Sequence, residues 1–435
     1  MTKVPCYRLF MEKAVPQRKR RSSRSHQGLG QLSLIEHALC PLHRNKSSGI
    51  ELSHDARFHY TDSDRKRRQA NVRVIAPLGL FPSDEVYLWG LLALTMAYAS
   101  GDGALTATPH WCLRLMGLVD SGTRRGGRQY QQFAAAVERL SVVNYLSDAC
   151  YDPARAEHRK VSFHFFSYSL PVNPASDRAW TIIWDPVFFQ LVQQTGGGMK
   201  FDLKLYKTMS PAARRLFLLV LKVSYGKRRL PVFELRHLAV DVLGFASTLA
   251  VRDMKVKVRK ALEQLEAVGA IQNSTITKGD HSRWLIAFER GVSLQHIQRS
   301  GTLAAEHDSP LIDGLLTVGF DHGSAARIVQ RYSHRLVAEW IDITLAARER
   351  FGEGHFRKSP MAFLLDSLKK AQSGERTPPD WWQQSKRAEL RNQKPTVRGQ
   401  QVLSRLMNEV FGEQSESPAK KNKPELAGDL LKRLA

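Results

Sequence analysis

The residues of this chain best suited to chemistry are cations at helical spacing. Arg252, Lys255 and Arg259 recur at intervals of three and four, with Lys260 near them and Lys257 on the flank. Val258, Ala261, Leu262, Leu265 and Val268 share the opposite side. A helix over Arg252–Val268 would therefore bury one face and turn its cations outward. Basic over its N-terminal half, with Glu263 and Glu266 held back toward the C-terminal end, such a helix has what entry into a major groove needs. Arginine can bond a guanine edge through two N–H groups, and lysine neutralises phosphates. A charged helix face by itself is commonly only a solvated face. Here the helix is third in a helix–helix–helix–hairpin order, and the hairpin loop that follows carries Lys278, His281 and Arg283.

A second cluster lies at Arg124, Arg125 and Arg128, with Gly126 and Gly127 between them. It falls at the start of another helix, where backbone amides favour phosphate and glycines permit close approach. Gln129, Gln131 and Gln132 extend this surface and could read adenine edges. The bland alternative is a basic loop with no fixed partner. A nucleotide-hydrolysing phosphate loop is excluded: Arg128 stands where its lysine belongs, Gln129 where its hydroxyl residue belongs, and a helix precedes it.

Catalytic patterns are missing elsewhere. A nicking initiator of the rolling-circle type would need two histidines flanking one apolar residue, yet the 15 histidines include no His-x-His triplet. His158 and His164 are too far apart for that role. Asp62 and Asp64 lie in a lysine- and arginine-rich loop and read as charge balance. Cys6, Cys40, Cys112 and Cys150 form no CxxC pair, which argues against a zinc site or disulfide framework and for a reducing compartment. Trp111, Trp180, Trp184, Trp284 and Trp340 fall mostly on apolar faces as core residues, whereas Trp381 and Trp382 follow two prolines in a polar region. The expectation is a non-enzymatic chain with no metal and no cofactor.

Composition sets the class of partner. The chain has 435 residues, 65 Lys and Arg against 41 Asp and Glu, and a net charge of +24. Polyanions are attracted to such a surface and release counterions when they bind. Hydrophobic residues make up 43% of the chain, enough for sizeable cores. The longest apolar run, Leu88–Ala99, falls short of the roughly 20 residues that span a bilayer, and the N-terminus lacks the apolar stretch of a signal peptide. A cytoplasmic protein with no membrane partner is expected.

The elements that position the two clusters come from periodicity. Alternation at Arg57–Tyr60 and Asn71–Ile75 predicts a hairpin around a polar insert. Ser83 is placed to cap a helix from Val86 to about Ala99, apolar almost all round and able to serve a core or a dimer interface. Thr108 and Pro109 open a second helix, and a third covers Gln129 to about Tyr145. Strands at Lys160–Phe166 and Ala179–Trp184 complete the block. After a hinge at Gly196–Gly198 the order repeats: helices at Pro211–Tyr225, Val232–Leu243 and Arg252–Val268, then strands at Ala270–Ile276 and Trp284–Phe288. The expected fold is α+β, mostly helical: a basic flexible arm over 1–30, winged-helix domains over 31–195 and 196–292, a helical C-terminal module over 305–375, and a polar basic tail over 376–435.

Several segments carry a family resemblance. Leu32–Leu42 (LSLIEHALCPL), Pro77–Thr95 (PLGLFPSDEVYLWGLLALT) and Ala107–Leu118 (ATPHWCLRLMGL) resemble the replication initiator protein A family of plasmid and phage-plasmid replicons. The Arg- and Gly-rich lead into Gln129-Tyr130 fits as well, so the resemblance covers roughly residues 30–290. SPMAFLLDSLKKAQ, from Ser359, is similar to a loose helical motif near the end of many plasmid replication proteins. The resemblance implies a theta-type initiator that binds repeated origin sequences in double-stranded DNA, opens the nearby duplex and recruits host helicase and primase without cutting. A winged-helix transcriptional repressor needs the same DNA chemistry, and a nicking initiator with an unfamiliar site is the enzymatic alternative.

Overall fold

The computed structural model describes residues 26–42, 51–62, 66–99, 101–119, 127–152, 155, 157–171, 176–194, 197–224, 230–280, 283–294 and 309–392. Over these the chain is α+β, about half helical, with small antiparallel sheets. Strands β2 (Leu52–Thr61) and β3 (Arg67–Ala76) form the hairpin that alternation predicts, in register from Leu52–Ala76 to Thr61–Arg67. Ala56 and Phe58 point inward while Asp55, Arg57 and His59 point out, as period-two geometry requires. At the hairpin end the Asp62 carboxylate accepts the Lys66 amide and the Arg68 guanidinium, each at 2.8 Å. Strands β5 (Asn144–Asp152) and β6 (Glu157–His164) extend this into a sheet of order β2-β3-β5-β6.

Three helices precede β5: α1 (Asp84–Tyr98), α2 (Pro109–Leu115) and α3 (Gly127–Ser141). Between the first two runs β4 (Ala104–Ala107), which pairs with β8 (Trp180–Trp184), itself paired with β7 (Phe166–Ser169). The segment Lys160–Phe166 expected to pair with Ala179–Trp184 belongs mainly to β6 and lies against β5 instead. Thr108 caps α2 by accepting the Trp111 amide at 3.2 Å. Ser83 does not cap α1: its backbone is already helical, and the neighbouring Asp84 carboxylate takes the Phe81 amide at 3.0 Å. Helix α1 is buried along most of its length. Its apolar faces are consumed within one chain, so it does not offer the dimer interface that its composition suggested.

The second half follows α4 (Pro186–Gln193) and β9 (Gly198–Asp202). Strand β9 pairs with β1 (Gln27–Gln31), so residues 27–30, expected in a flexible arm, form a buried strand; residues 1–25 lie outside the described residues. Gly197 and Gly198 are not a free hinge either. A side-chain carbon on Gly197 would strike the Leu191 carbonyl, and one on Gly198 would meet Leu29 at 3.0 Å. Then come α5 (Leu203–Thr208), α6 (Pro211–Ser224), β10 (Phe233–Glu234), α7 (Leu235–His237, prolonged by a π-turn over Leu238–Val242), α8 (Val251–Ala267), β11 (Ile271–Lys278) and β12 (Trp284–Arg290). Their sheet has order β10-β12-β11. Both halves therefore run helix, strand, helix, helix, strand, strand, with the last strand central: α1-β4-α2-α3-β7-β8, then α6-β10-α7-α8-β11-β12. In the first half β5 and β6 are inserted after the third helix.

One apolar core runs from Leu29 to Leu294, so the halves share an interior. An ion pair crosses it. Arg215 on α6 donates to Glu85 on α1 at 2.6 and 2.9 Å, to the Leu243 carbonyl at 2.7 Å and toward the Cys40 sulfur at 3.2 Å. Burial opposes the charged guanidinium, and the Glu85 carboxylate overrides it. The Cys40 thiol is pushed up to about 12 by burial. Nearby, Asp84 holds Arg139 of α3 through bonds of 2.7 and 2.8 Å. His37 packs against Phe58 and Tyr145. The Ala38 carbonyl, 3.2 Å from Nδ1, can only accept, so Nδ1 carries the proton and Nε2 takes the Tyr145 hydroxyl at 2.9 Å.

The C-terminal module has its own core around Leu315, Trp340, Leu364 and Leu368. Its helices are α9 (Pro310–Val318), α10 (His322–Arg331), α11 (His334–Phe351), α12 (Pro360–Gln372) and α13 (Asp380–Asn392). The periodic stretch from Ala325 to Leu345 is two helices, broken at Tyr332–Ser333. Helix α13 lies inside the expected polar tail, and Trp381 and Trp382 pack on the module rather than standing in solvent. Arg178, just before β8, fastens this module to the first half. It donates to Asp342 at 2.8 and 3.1 Å and to Glu389 at 2.7 Å, while the Trp382 indole and Lys386 reach Asp342 at 2.7 and 3.1 Å. Thr108 adds a bond to Asp313 of 2.9 Å. Among the described residues no helix is long and apolar enough to cross a membrane.

Two outcomes follow from these interiors. Arg215→Met should cost about 3–5 kcal/mol, because Glu85 is left charged and buried. Adding Glu85→Met should recover part of that loss in urea melts. Burial also holds His37 and His54 down to about 4 against an ordinary 6.5. The unfolded chain then binds more protons between those values, so their contribution is intact above about pH 6.5 and is lost as the pH falls toward about 4. His37→Gln should lower the slope of unfolding free energy within that window by up to about 1.4 kcal/mol per pH unit, measured by urea melts across it.

Candidate nucleic-acid interface

Helix α8 buries Met254, Val258, Ala261, Leu262 and Leu265. This is the expected stripe with two changes: Met254 joins it, and Val268 becomes the half-buried C-cap. Arg252, Arg259, Lys260 and Glu263 are exposed on the other side. The remaining lysines turn out to be partly committed within the chain. The Lys255 ammonium lies 3.7 Å from the centre of the Trp284 ring, and that of Lys257 lies 5.6 Å from the Phe245 ring. Such cation–ring contacts contribute about 0.5–1 kcal/mol where water has access.

Two side chains in the last turn of the helix tie it to its neighbours. Gln264 accepts the Ser210 amide at 2.9 Å, ahead of α6. Glu266, read from the sequence only as a charge near the C-terminal end, accepts the Ser274 amide of β11 at 2.9 Å. Between β11 and β12 the Gly279 amide donates to the Arg283 carbonyl at 2.8 Å. Lys278 pairs in register with Trp284, the ring that Lys255 covers. Lys278 and Arg283 are exposed at this tip, while His281 lies outside the described residues. A bulge between Gln272 and Thr275 bends β11. There Asn273 adopts a φ of 53° and donates to Glu289 at 2.8 Å, a left-handed backbone that asparagine tolerates better than most residues.

In the first half Arg124 and Arg125 lie outside the described residues. Arg128, Gln129, Gln131 and Gln132 are exposed over the opening turns of α3. Phe133, Ala136, Val137 and Leu140 hold the other side against the core. Phe133 stacks on Trp180 with ring centres 5.5 Å apart and planes 3° from parallel. Tyr130 turns toward α2, its hydroxyl 2.7 Å from Nδ1 of His110. The exposed polar row at the start of α3 is thus held by an aromatic anchor at each side. It carries one described arginine where α8 carries two.

The histidines weighed for metal chemistry have other neighbours. His158 lies between Tyr60 and Tyr151, with ring centres at 4.3 and 5.2 Å. His164 sits 3.0 Å from Asp185, a carboxylate whose other oxygen caps α4. Trp89, Trp111, Trp184 and Trp340 are core residues, whereas Trp180 and Trp284 are half-buried beside the two candidate helices. Arg139 and Arg178 are strongly engaged cations that the sequence does not distinguish, since nothing local marks their carboxylate partners.

No protein-family model matches this chain, and no curated protein matches it. A crystal structure of domains 2 and 3 of RctB is similar over 58% of this chain and 95% of that chain, at 14% identity and a TM-score of 0.33. A TM-score of that size does not establish a shared fold.

Proposed function

We propose that this chain is a double-stranded-DNA-binding protein built on two tandem winged-helix units, and that it acts as a theta-type plasmid replication initiator. The observation that carries the DNA reading is the outer face of α8. Arg252, Arg259 and Lys260 stand exposed there, next to a hairpin whose tip carries Lys278 and Arg283. The opposite face is locked into the core. Support for the winged-helix reading comes from the repeated element order with its central last strand. In that arrangement α3 and α8 take the place of the groove helices and the hairpins that of the wings.

Roles divide by chemistry. Arg252 and Arg259 suit base edges. Lys260, Lys278 and Arg283 suit phosphates, and Lys255 and Lys257 add positive potential from their ring-bound positions. Arg128, Gln129 and Gln132 form the corresponding surface of the first unit, and Arg124 and Arg125 are assigned to DNA contact from the sequence alone. Two units on one duplex gain affinity through effective concentration, provided both sites can be reached together. The initiator reading rests on the segments that resemble the replication initiator protein A family. In it the chain binds origin repeats, helps open the duplex and recruits host helicase or primase, with no catalytic role of its own.

Arg252→Ala with Arg259→Ala should weaken binding to a selected site by about 10- to 100-fold while changing non-specific affinity little. Lys278→Ala with Arg283→Ala should weaken both and reduce the salt slope by about one per residue. Fluorescence anisotropy across a salt series reads both quantities. Equal losses on specific and random duplexes would remove the base-reading role. A plasmid carrying the gene and its flanking DNA should be maintained in a host; failure there, with specific binding intact, would favour a repressor. Nicking of supercoiled flanking DNA in the presence of a divalent cation would replace the non-enzymatic reading.

A further inference from the structure

The outer face of α8 contains one residue that charge does not explain. Val256 is 51% exposed. It lies four residues after Arg252 and three before Arg259, and Glu263 continues the same row. A scattered exposed valine is ordinary on a protein surface. This one sits in the middle of the outward row, although the helix already has a complete apolar stripe on its other side. Valine is also a weaker helix former than the alanine, lysine or glutamine that would serve a merely solvated face. The adjacent lysines do not fill the gap, because Lys255 is drawn onto Trp284 and Lys257 onto Phe245. The outward row then runs Arg252, Val256, Arg259 and Glu263, with Lys260 beside it.

We propose that Val256 is a specificity residue that reads the C5 methyl group of a thymine in the major groove; this rests on the DNA-binding reading above. An isopropyl group offers neither donor nor acceptor. Among the base edges of the major groove, thymine alone presents an apolar group, the C5 methyl, beside its polar atoms. Residues 252, 256 and 259 are spaced about 6 and 4.5 Å along the helix axis, against a base rise of about 3.4 Å per step. The thymine should therefore lie within about two steps of a guanine read by Arg252 or Arg259. Burying the methyl against the valine removes both from water without breaking a hydrogen bond of either.

The test uses the full chain and a duplex recovered with it from a random-sequence library. Each thymine in the recovered site is replaced in turn by deoxyuridine, which lacks only the methyl group. For the wild type, replacement of one thymine, within about two steps of a guanine, should weaken binding by about fourfold. Val256→Ala should bind the parent duplex about as weakly as that and lose its sensitivity at the same position, with an unchanged melting temperature. Wild-type indifference to every replacement, with binding still sequence-specific, overturns the role of Val256 and leaves the DNA reading standing. Sensitivity that persists in Val256→Ala overturns it as well. Recovery of no preferred duplex overturns both readings.

Discussion

The arrangement of the two halves depends on a single buried ion pair. Arg215 and Glu85 are each about 5% exposed and come from helices 130 residues apart in the chain. Removing two such charges from water is costly, and the cost is recovered only when nearly every polar atom finds a partner. The guanidinium meets that condition through the Glu85 carboxylate, the Leu243 carbonyl and the Cys40 sulfur. Because Leu243 closes the π-turn after α7 and Cys40 lies between β1 and β2, one side chain specifies how four separate pieces meet. An apolar contact in its place could have slid; two N–H groups closing on one Glu85 oxygen while a third reaches the Leu243 carbonyl hold one geometry.

A second pair of this kind governs the C-terminal helices. Their core is separate from the main one, so apolar burial alone does not fix where they sit. Arg178 does so from the segment ahead of β8, with Asp342 on α11 and Glu389 on α13 closing on it from two helices. Burial would raise the Asp342 carboxyl, but Arg178 and Lys386 hold it below the ordinary carboxylate range. The first half and the C-terminal module are thus joined by a polar knot.

Local pattern made the elements legible in the sequence, and long-range polar pairing made the rest illegible. The apolar stripe of α8 follows from spacing, and Met254 could have been added because it precedes Val258 by four. The hairpin β2–β3 and the cap at Thr108 were readable for the same reason: each depends on residues close in sequence. In local sequence Glu85 is only an acid in the first turn of α1 and Arg178 carries no pattern at all, since neither residue type encodes a partner more than a hundred positions away. Helix α13 was hidden by its polar composition; its two tryptophans and Glu389 are accounted for only by a surface that other helices supply. At the candidate interface the charges were legible but their availability was not. Whether a lysine points outward depends on the nearest ring, and Trp284 is on another element.

The contact between Lys255 and Trp284 has a consequence for the shape of any duplex this surface takes. It rivets the hairpin to the helix, as Glu266 does from the other end through Ser274. The separation between the arginines of α8 and the cations at the hairpin tip is thereby restrained by both contacts. On the proposed reading the helix occupies a groove while the tip rests on the neighbouring backbone, and neither can shift to suit the other. The nucleic acid must supply the adjustment by widening, narrowing or bending, and base steps differ in how readily they do so. On that reading the surface would work as a caliper, sensitive to the stiffness of base pairs that no side chain touches.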